Sequence, residues 1–256
     1  MPHHRTVFMS TNQYEAELRT GTASFLDVIR VAKRQGLAGI EFRDVYWKNA
    51  ERDIPEVKAA LADHGIWASY ASFTTLFDAT VNRDALHREI DIAASIGSSL
   101  IRLFPGQTPA LSDTNAWSAA KQMVAYAANH GVTIALENFA GTPGNRLSEA
   151  KTVFDNIDSA ALRCNLDIGN YASNGQDPIE AIRVLATRIA SSHLKDVKQT
   201  ESGKATTYLG DGQLPLADIM AEFDRLPQLI VHCFEFGGNG DPEGNIVKSL
   251  AVLSRI

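Results

Sequence analysis

Four ionisable side chains stand where four successive apolar segments of the sequence end. They are Glu137 in VTIALENF, Asp167 in LRCNLDIGN, His193 in IASSHLKD and Glu235 in LIVHCFEFGG. Carboxylate oxygens and an imidazole nitrogen are donors that suit Mn²⁺, Mg²⁺ or Co²⁺, with Zn²⁺ as a further choice. A bound cation would also relieve the repulsion between three neighbouring carboxylates. The pattern therefore predicts one metal site, provided that the four segments end at the same place.

The elements that must bring these residues together repeat along the chain. A helix-like segment, a glycine and an apolar strand-like segment follow one another four times, and the junction glycines are Gly36, Gly65, Gly97 and Gly131. Glycine just past a helix end adopts the left-handed conformation that terminates the helix. Helical periodicity fills the spaces between apolar runs. These runs predict eight strands, near residues 6–10, 38–43, 67–73, 99–104, 132–138, 162–167, 189–194 and 229–236.

Strands that alternate with helices favour a parallel sheet, and eight such units favour a closed α/β barrel, the (β/α)8 or TIM barrel. The length of 256 residues matches one barrel, and no linker interrupts the composition, so residues 1–256 are predicted to form a single catalytic domain. In this fold the carboxyl ends of the strands meet at one face, where catalytic residues lie. The predicted metal ligands would therefore converge on that face.

Composition narrows the class of protein. The net charge of −6 argues against sequence-independent nucleic-acid binding, which depends on Lys and Arg neutralising phosphates. The first residues, MPHHRTVFMS, lack the apolar segment of a signal peptide or a membrane span, so a cytoplasmic location is expected. Cys164 and Cys233 lie inside predicted strands without CxxC spacing, and we expect buried free thiols.

Strand alternation indicates which neighbours share the predicted site, because residues two apart lie on the same face of a strand. Lys195 shares the face of His193 and is a candidate for substrate contact, whereas Asp196 lies on the other face. His232 is expected to face the helix layer as a hydrogen-bonded structural residue. Arg102 could bind a carboxylate or phosphate, with a structural ion pair as the alternative. The other candidates at the barrel mouth are Glu41, Arg43 and Tyr70.

The segment ESGKATTYLGDGQLP precedes the last predicted strand and helix pair. It is rich in Gly and Thr, so it is predicted to be irregular. It would form either a flexible cover over the barrel mouth or a simple connection to the next helix.

At these residues the chain resembles the xylose isomerase-like barrels grouped as sugar phosphate isomerases and epimerases, over essentially its whole length. The resemblance rests on GIEF, ALENF, NLDIGN, SHLKD, FEFGG and LGDGQLPLADIM. It implies dimers or tetramers and one divalent ion, with the two glutamates as the proton-transfer pair. The ligand set that it implies is Glu137, Asp167, His193 and Glu235.

The sequence departs from the family pattern at one position. Many epimerases of the family carry a histidine three residues after the strand-six aspartate, where this chain has Asn170. Asparagine can hydrogen-bond a substrate hydroxyl, but it does not titrate near neutral pH. Asn170 is therefore a substrate-binding candidate and not a proton relay.

The expected function is a metal-dependent sugar isomerase or epimerase. It would move a proton beside a carbonyl of a ketose, keto-inositol or related polyol through an enediolate, with Mn²⁺ as the expected ion and Glu137 and Glu235 as catalytic groups.

Two alternatives stay open. One is a metal-dependent dehydratase of a keto-inositol or dehydroshikimate-like substrate, and the other is a non-catalytic sugar-binding barrel. A barrel endonuclease acting at abasic sites is disfavoured, because it needs additional histidines at the strand ends. Strands three and four instead end in Tyr70, Ser72, Arg102 and Phe104.

Overall fold

Eight short segments, each with buried apolar side chains, pair side by side as parallel strands and close into a barrel. The computed structural model describes residues 5–77 and 83–256, so residues 1–4 and 78–82 of the predicted domain lie outside it. The predicted (β/α)8 fold is confirmed. The barrel strands, each hydrogen-bonded to the next and the last to the first, are β1 (Thr6–Ser10), β2 (Gly39–Arg43), β3 (Trp67–Thr75), β4 (Leu100–Phe104), β5 (Thr133–Glu137), β6 (Leu162–Asp167), β7 (Ile189–Leu194) and β10 (Val231–Phe234).

Helices connect the strands and cover the outside of the barrel. Several begin at a side-chain cap: Ser24 and Asp27 form a reciprocal capping box at α2, and Asp113 caps α5. The helices are α1 (Glu15–Thr20), α2 (Phe25–Arg34), α3 (Ala50–His64), α4 (Arg83–Ile96), α5 (Thr114–Asn129), α6 (Leu147–Asn156), α7 (Ile168–Ser173), α8 (Pro178–Leu185), α9 (Leu216–Asp224) and α10 (Pro242–Leu253). None of the helices in the described part of the chain has the length and apolarity that a membrane span requires.

Alternation along each strand separates the apolar core from the barrel interior. On β2, Ile40 and Phe42 are fully buried in the hydrophobic cluster, and burial of one such side chain stabilises the fold by about 2 kcal/mol. Gly39, Glu41 and Arg43 occupy the opposite face of the same strand. The core that holds the fold together is thus outside the barrel, and the polar residues are inside.

The predicted irregular segment after β7 contains regular structure. Strand β8 (Asp196–Thr200) pairs antiparallel with β9 (Gly203–Thr207) as a two-stranded hairpin beside the barrel. The prediction of irregular structure for ESGKATTYLGDGQLP is therefore wrong for β9. Gly203 has a φ of 117°, a backbone conformation suited to glycine that closes the tight turn.

Candidate active site

The carboxyl ends of four adjacent strands carry the four predicted metal ligands. Glu137 ends β5, Asp167 ends β6 opposite His193 on β7, and Glu235 directly follows β10. The carboxyl ends of the strands form the face on which active sites of this fold lie. All four side chains are buried.

Three of the four lie close enough together to hold a metal ion. Nδ1 of His193 lies 3.5 Å from Oε2 of Glu137 and 3.7 Å from Oδ2 of Asp167, and the three ligand atoms are all within 4.8 Å of one another. Nδ1 of His193 makes no hydrogen bond to a described residue, whereas Oε2 of Glu137 and Oδ2 of Asp167 form ion pairs with Arg102 and Lys195. Two carboxylate oxygens and an imidazole nitrogen that converge within this distance suit a divalent cation. The residues present therefore fit the metal that the sequence predicts.

The second nitrogen of His193 is held by Glu41. Nε2 of His193 lies 2.8 Å from Oε2 of Glu41, both side chains being buried. Burial raises the pKa of Glu41, but the charge and hydrogen bond of His193 outweigh it and bring the pKa to about 2. A carboxylate on one ring nitrogen orients the imidazole and leaves the other nitrogen to face a metal. Glu41 thus fixes the orientation of the His193 ring.

Cys233 forms a second group of potential ligand atoms with Glu41 and His193. Burial, with the nearby carboxylates, raises the pKa of the Cys233 thiol well above its usual range. In this group Nε2 of His193 and Oε2 of Glu41 are already paired at 2.8 Å, whereas Nδ1 of His193 makes no hydrogen bond to a described residue. The three-residue group with Glu137 and Asp167 is the better site.

The fourth predicted ligand is separated from the other three by a lysine. Nζ of Lys195 lies 2.7 Å from Oδ2 of Asp167 and also forms an ion pair with Oε2 of Glu235. Burial lowers the pKa of Lys195, but Asp167 and Glu235 outweigh it and raise the pKa above its usual value. A Cβ at Gly169 would collide with the Lys195 stem, so glycine is needed there. Glu235 can join the other ligands only if the Lys195 ammonium moves.

Two arginines complete the site. Arg43 Nη1 lies 2.9 Å from Oε1 of Glu235, and Arg102 Nε lies 2.9 Å from Oε2 of Glu137. The Phe73 ring lies 4.9 Å from the Arg43 guanidinium carbon, and 45% of Phe73 is exposed. The Phe73 ring therefore forms a cation–π contact with Arg43 and adds an apolar surface to the entrance of the site. We call the buried ionisable residues at this end the charged cluster: Glu41, Arg43, Arg102, Glu137, Asp167, His193, Lys195 and Glu235.

Charges within this cluster nearly balance without any ion. Four carboxylates face two guanidiniums, one ammonium and one imidazole, and the pKa of His193 is raised well above its usual value because Glu41 and Glu137 outweigh burial. Burial raises the pKa of Glu137, but Arg102 and His193 outweigh it and hold the pKa below its usual range. A divalent ion with neutral His193 would therefore leave the cluster with one positive charge in excess.

Two asparagines hold the acids in position. Asn170 Nδ2 donates to Oε1 of Glu137 at 3.0 Å, and its backbone N–H donates to Oδ1 of Asp167 at 2.8 Å. Asn138 exchanges two hydrogen bonds of 2.9 Å with the Asp167 backbone. Asn170 thus touches the cluster as expected, although its amide is committed to Glu137. Sequence reasoning missed Asn138, for which the only signal was its place directly after Glu137.

The structure does not bring Tyr70 into the cluster. Tyr70 is 1% exposed, belongs to the hydrophobic core and donates its hydroxyl to Oε2 of Glu89 on α4 at 2.9 Å. The expected substrate contact does not agree with this position. Strand β3 continues to Thr75, so its site-facing aromatic residue is Phe73, which lies in an irregular stretch of the pairing with β4. Tyr70 pairs with Phe42 and alternates with Ser69 and Ala71, which lie beside Glu41 and Arg43, so its side chain is on the face of the helix layer.

Strand alternation places the remaining neighbours as expected. Lys195 lies in the cluster, and Asp196 lies on the other side, where its carboxylate accepts backbone N–H groups of Gly210, Gly212 and Leu214. His232 faces the helix layer and hydrogen-bonds Ser192 at 2.8 Å. Burial lowers the pKa of His232 to about 4.

The fold and the site together define a closed α/β barrel whose strand ends carry acids and a histidine that could hold a metal ion. The sequence profile of the xylose isomerase-like TIM barrels matches residues 29–256, and the chain belongs to that family. A comparison with curated protein sequences found no match.

Solved structures with this fold include sugar epimerases and a dehydratase. The probable 3-DHS dehydratase AsbF of Bacillus anthracis superposes with a TM-score of 0.77 at 17% identity, covering 97% of this chain and 98% of that chain. D-psicose 3-epimerase of Clostridium cellulolyticum H10 gives 0.77 at 14% identity, covering 98% and 99%. The 3-keto-D-glucoside 4-epimerase YcjR of E. coli gives 0.71 at 16%, covering 98% and 100%. Identities this low support the shared fold.

Proposed function

We propose that this protein is a metal-dependent isomerase or epimerase that moves a proton beside the carbonyl of a ketose, keto-inositol or related polyol. The observation that carries the proposal is the convergence of Glu137, Asp167 and His193, whose buried ligand atoms lie within 4.8 Å of one another. The similarity in fold to sugar epimerases agrees with this activity.

The metal would be held by Glu137, Asp167 and His193, with Glu235 as a fourth ligand once Lys195 moves. A divalent ion there supplies a Lewis acid that polarises a carbonyl and stabilises developing negative charge on its oxygen. We take Mn²⁺ as the expected ion, because the donors are mainly carboxylate oxygens.

The chain's own groups would carry the proton. Glu137 and Glu235 are ionised, since basic neighbours hold the pKa of each below its usual range despite burial. An ionised carboxylate beside the substrate carbon can accept the C–H proton and return it to the other carbon or to the other face. Lys195 and Arg43, both paired with Glu235, would turn toward substrate oxygens when the substrate enters.

A second candidate function is a dehydratase of an anionic keto-acid. The observation that favours it is the positive charge that the cluster would carry with a divalent ion, because guanidiniums bind carboxylates well. The fold is also shared with a probable 3-DHS dehydratase.

Incubation of the Mn²⁺-loaded protein with a panel of ketoses and keto-inositols in deuterated water tests the proposal. Mass spectrometry of the recovered sugars should show one deuterium incorporated together with an isomerised product. A product lighter by one water would favour the dehydratase. Binding without exchange or product, unchanged in Glu137→Gln, would identify a sugar-binding barrel instead.

A further inference from the structure

A cavity of about 390 Å³ opens at the amino-terminal end of the barrel, opposite the charged cluster. Trp67, Leu100 and Val231, the first residues of their strands, lie at its outer part, and Glu41 lines its inner part. Barrels of this fold are usually filled by layers of bulky branched side chains. Here Asn165, Ser191 and Cys233, each two residues before a member of the cluster, and Ser69 on β3 line the space with small side chains. The space inside the barrel follows from these residues.

The outer part of this cavity is apolar. Phe8, Leu61 and Ile96 contribute to its walls, and Trp67 and Leu229 at the opening are 58% and 65% exposed. Large apolar side chains that remain exposed around a concave opening indicate a binding site more often than a solvated surface. A volume of this size also falls in the range of about 300–1,000 Å³ that is typical of small-molecule sites.

The inner end of the cavity carries polar atoms without partners. Asn165 and Glu41 are 1% and 2% exposed, and Nδ2 of Asn165 and Oε1 of Glu41 make no hydrogen bond to a described residue. Their other atoms are committed: Oδ1 of Asn165 accepts from Ser191, and Oε2 of Glu41 pairs with His193. A buried donor or acceptor left unpaired destabilises the fold, and a ligand that pairs with it relieves this loss. One donor and one acceptor thus remain for a ligand.

We propose that this cavity is a second binding site, which takes a small neutral alcohol or phenol. A hydroxyl is both donor and acceptor, so it can accept from Nδ2 of Asn165 and donate to Oε1 of Glu41. The apolar body of the ligand lies against Phe8 and Leu61, toward the opening at Trp67. A carboxylate would be repelled by ionised Glu41, and an ammonium has no lone pair for Asn165. The cavity shares Glu41 with the charged cluster but opens at the other end of the barrel, and ligand binding there does not require the proposed catalytic activity.

Calorimetric titration of the full chain with phenol, toluene and benzoate tests the ligand class. Phenol should bind at one site per chain, toluene about tenfold more weakly because it lacks the hydroxyl, and benzoate should not bind. In Asn165→Leu, phenol should lose its advantage over toluene. Equal binding of phenol and toluene by the unaltered chain would overturn the proposal.

Two matched serine variants locate the site. Ser99 is exposed at the opening of the cavity, and Ser112 is exposed in the loop before α5. Ser99→Trp should cover the opening and weaken phenol binding at least about tenfold, whereas Ser112→Trp should bind phenol as the unaltered chain does. Both positions are on the surface, so both variants should fold. Unchanged binding in Ser99→Trp, or a crystal soaked in phenol that shows only water in the cavity, would exclude this site.

Discussion

The two ends of the barrel are built from the same strands, but their interiors are filled by different kinds of side chain. At the carboxyl end the interior is filled by long charged side chains in ion pairs, such as Arg102 with Glu137 and Lys195 with Glu235. At the amino end, Ser69, Asn165 and their neighbours are small, and they leave a cavity. Buried charges must stay paired, whereas small side chains leave space that water or a ligand can occupy. The comparison teaches that the interior residues at the two ends should respond differently to the same kind of change.

Glu137→Gln should have the largest effect, because it removes both a metal ligand and a proposed proton acceptor. Turnover in the deuterium-exchange assay should fall about 10³-fold or more. Glu243→Gln serves as the control. Glu243 forms a solvent-exposed ion pair with Arg34, so this variant should keep full turnover. Loss of less than tenfold in Glu137→Gln would exclude this residue from catalysis.

Lys195→Met should break the charge balance of the carboxyl end. Without metal, two carboxylates lose their buried partner, and the free energy of unfolding should fall by about 4 kcal/mol. Mn²⁺ should restore most of this loss and should bind about tenfold more tightly than in the unaltered chain, since the competing cation is gone. Urea unfolding with and without Mn²⁺, together with calorimetry, measures both effects.

Lys198→Met is the matched control for this change. Lys198 lies three residues further on, pairs with Asp211 and is 43% exposed on its side chain. The same substitution there should alter stability by less than about 1 kcal/mol and should leave Mn²⁺ affinity unchanged. If Lys195→Met binds Mn²⁺ no better than Lys198→Met does, Lys195 does not compete with the metal.

His232 lies between the barrel wall and the helices, outside both ends, and its titration should affect folding alone. Its pKa of about 4 is below the ordinary value of 6.5 because the side chain is buried, so the unfolded chain binds the proton more readily. Stability from this residue is present above pH 6.5 and is lost as the pH falls toward 4, by about 3 kcal/mol in total. Urea unfolding of His232→Gln between pH 7 and pH 4 should lack this component, and identical slopes would contradict the assignment.

The smallest predicted effects compare packing inside the barrel. Ser69→Val adds methyl groups where the cavity has room and should raise the free energy of unfolding by about 1 kcal/mol. Ala135→Val adds methyl groups at a fully buried interior position between β4 and β6 and should lower it by about 2 kcal/mol. Thermal unfolding of both variants tests whether only the amino end is loosely packed, and a loss of stability in Ser69→Val would show that it is not.

The barrel could be predicted because each strand is a local apolar run and each helix ends at a recognisable signal. The cluster could be predicted in part, since parallel strands bring their ends to one face whatever their packing details. The contact of Phe73 with Arg43 could not, because alternation gives the face of Phe73 but not the position of a long side chain from another strand. The ion pairs of Lys195 with Asp167 and Glu235 could not be predicted either, because they depend on the packing of several long side chains in a small space. Strand β9 was not predicted, because its Gly and Thr content is typical of irregular segments.

The cavity left no obvious signal in the sequence for a similar reason. Small polar residues two positions before a functional residue, such as Ser191 before His193, are common in strands and indicate nothing singly. Only the closure of the sheet brings Ser69, Asn165 and Cys233 around one space. The volume inside the barrel depends on all the strands together, so it can be measured in the structure but cannot be predicted from local sequence patterns.

The carboxylate of Asp196 has a consequence for how this protein could acquire new substrates. It accepts hydrogen bonds from backbone N–H groups of the loop after β9, and a Cβ at Gly212 would collide with it. An insertion or a larger side chain in that loop would therefore break these contacts. The hairpin tip at Glu201 and Ser202 is exposed and carries no such restraint. Natural variation and laboratory selection should therefore accumulate length changes at the hairpin tip, while the loop beside it stays constant in length.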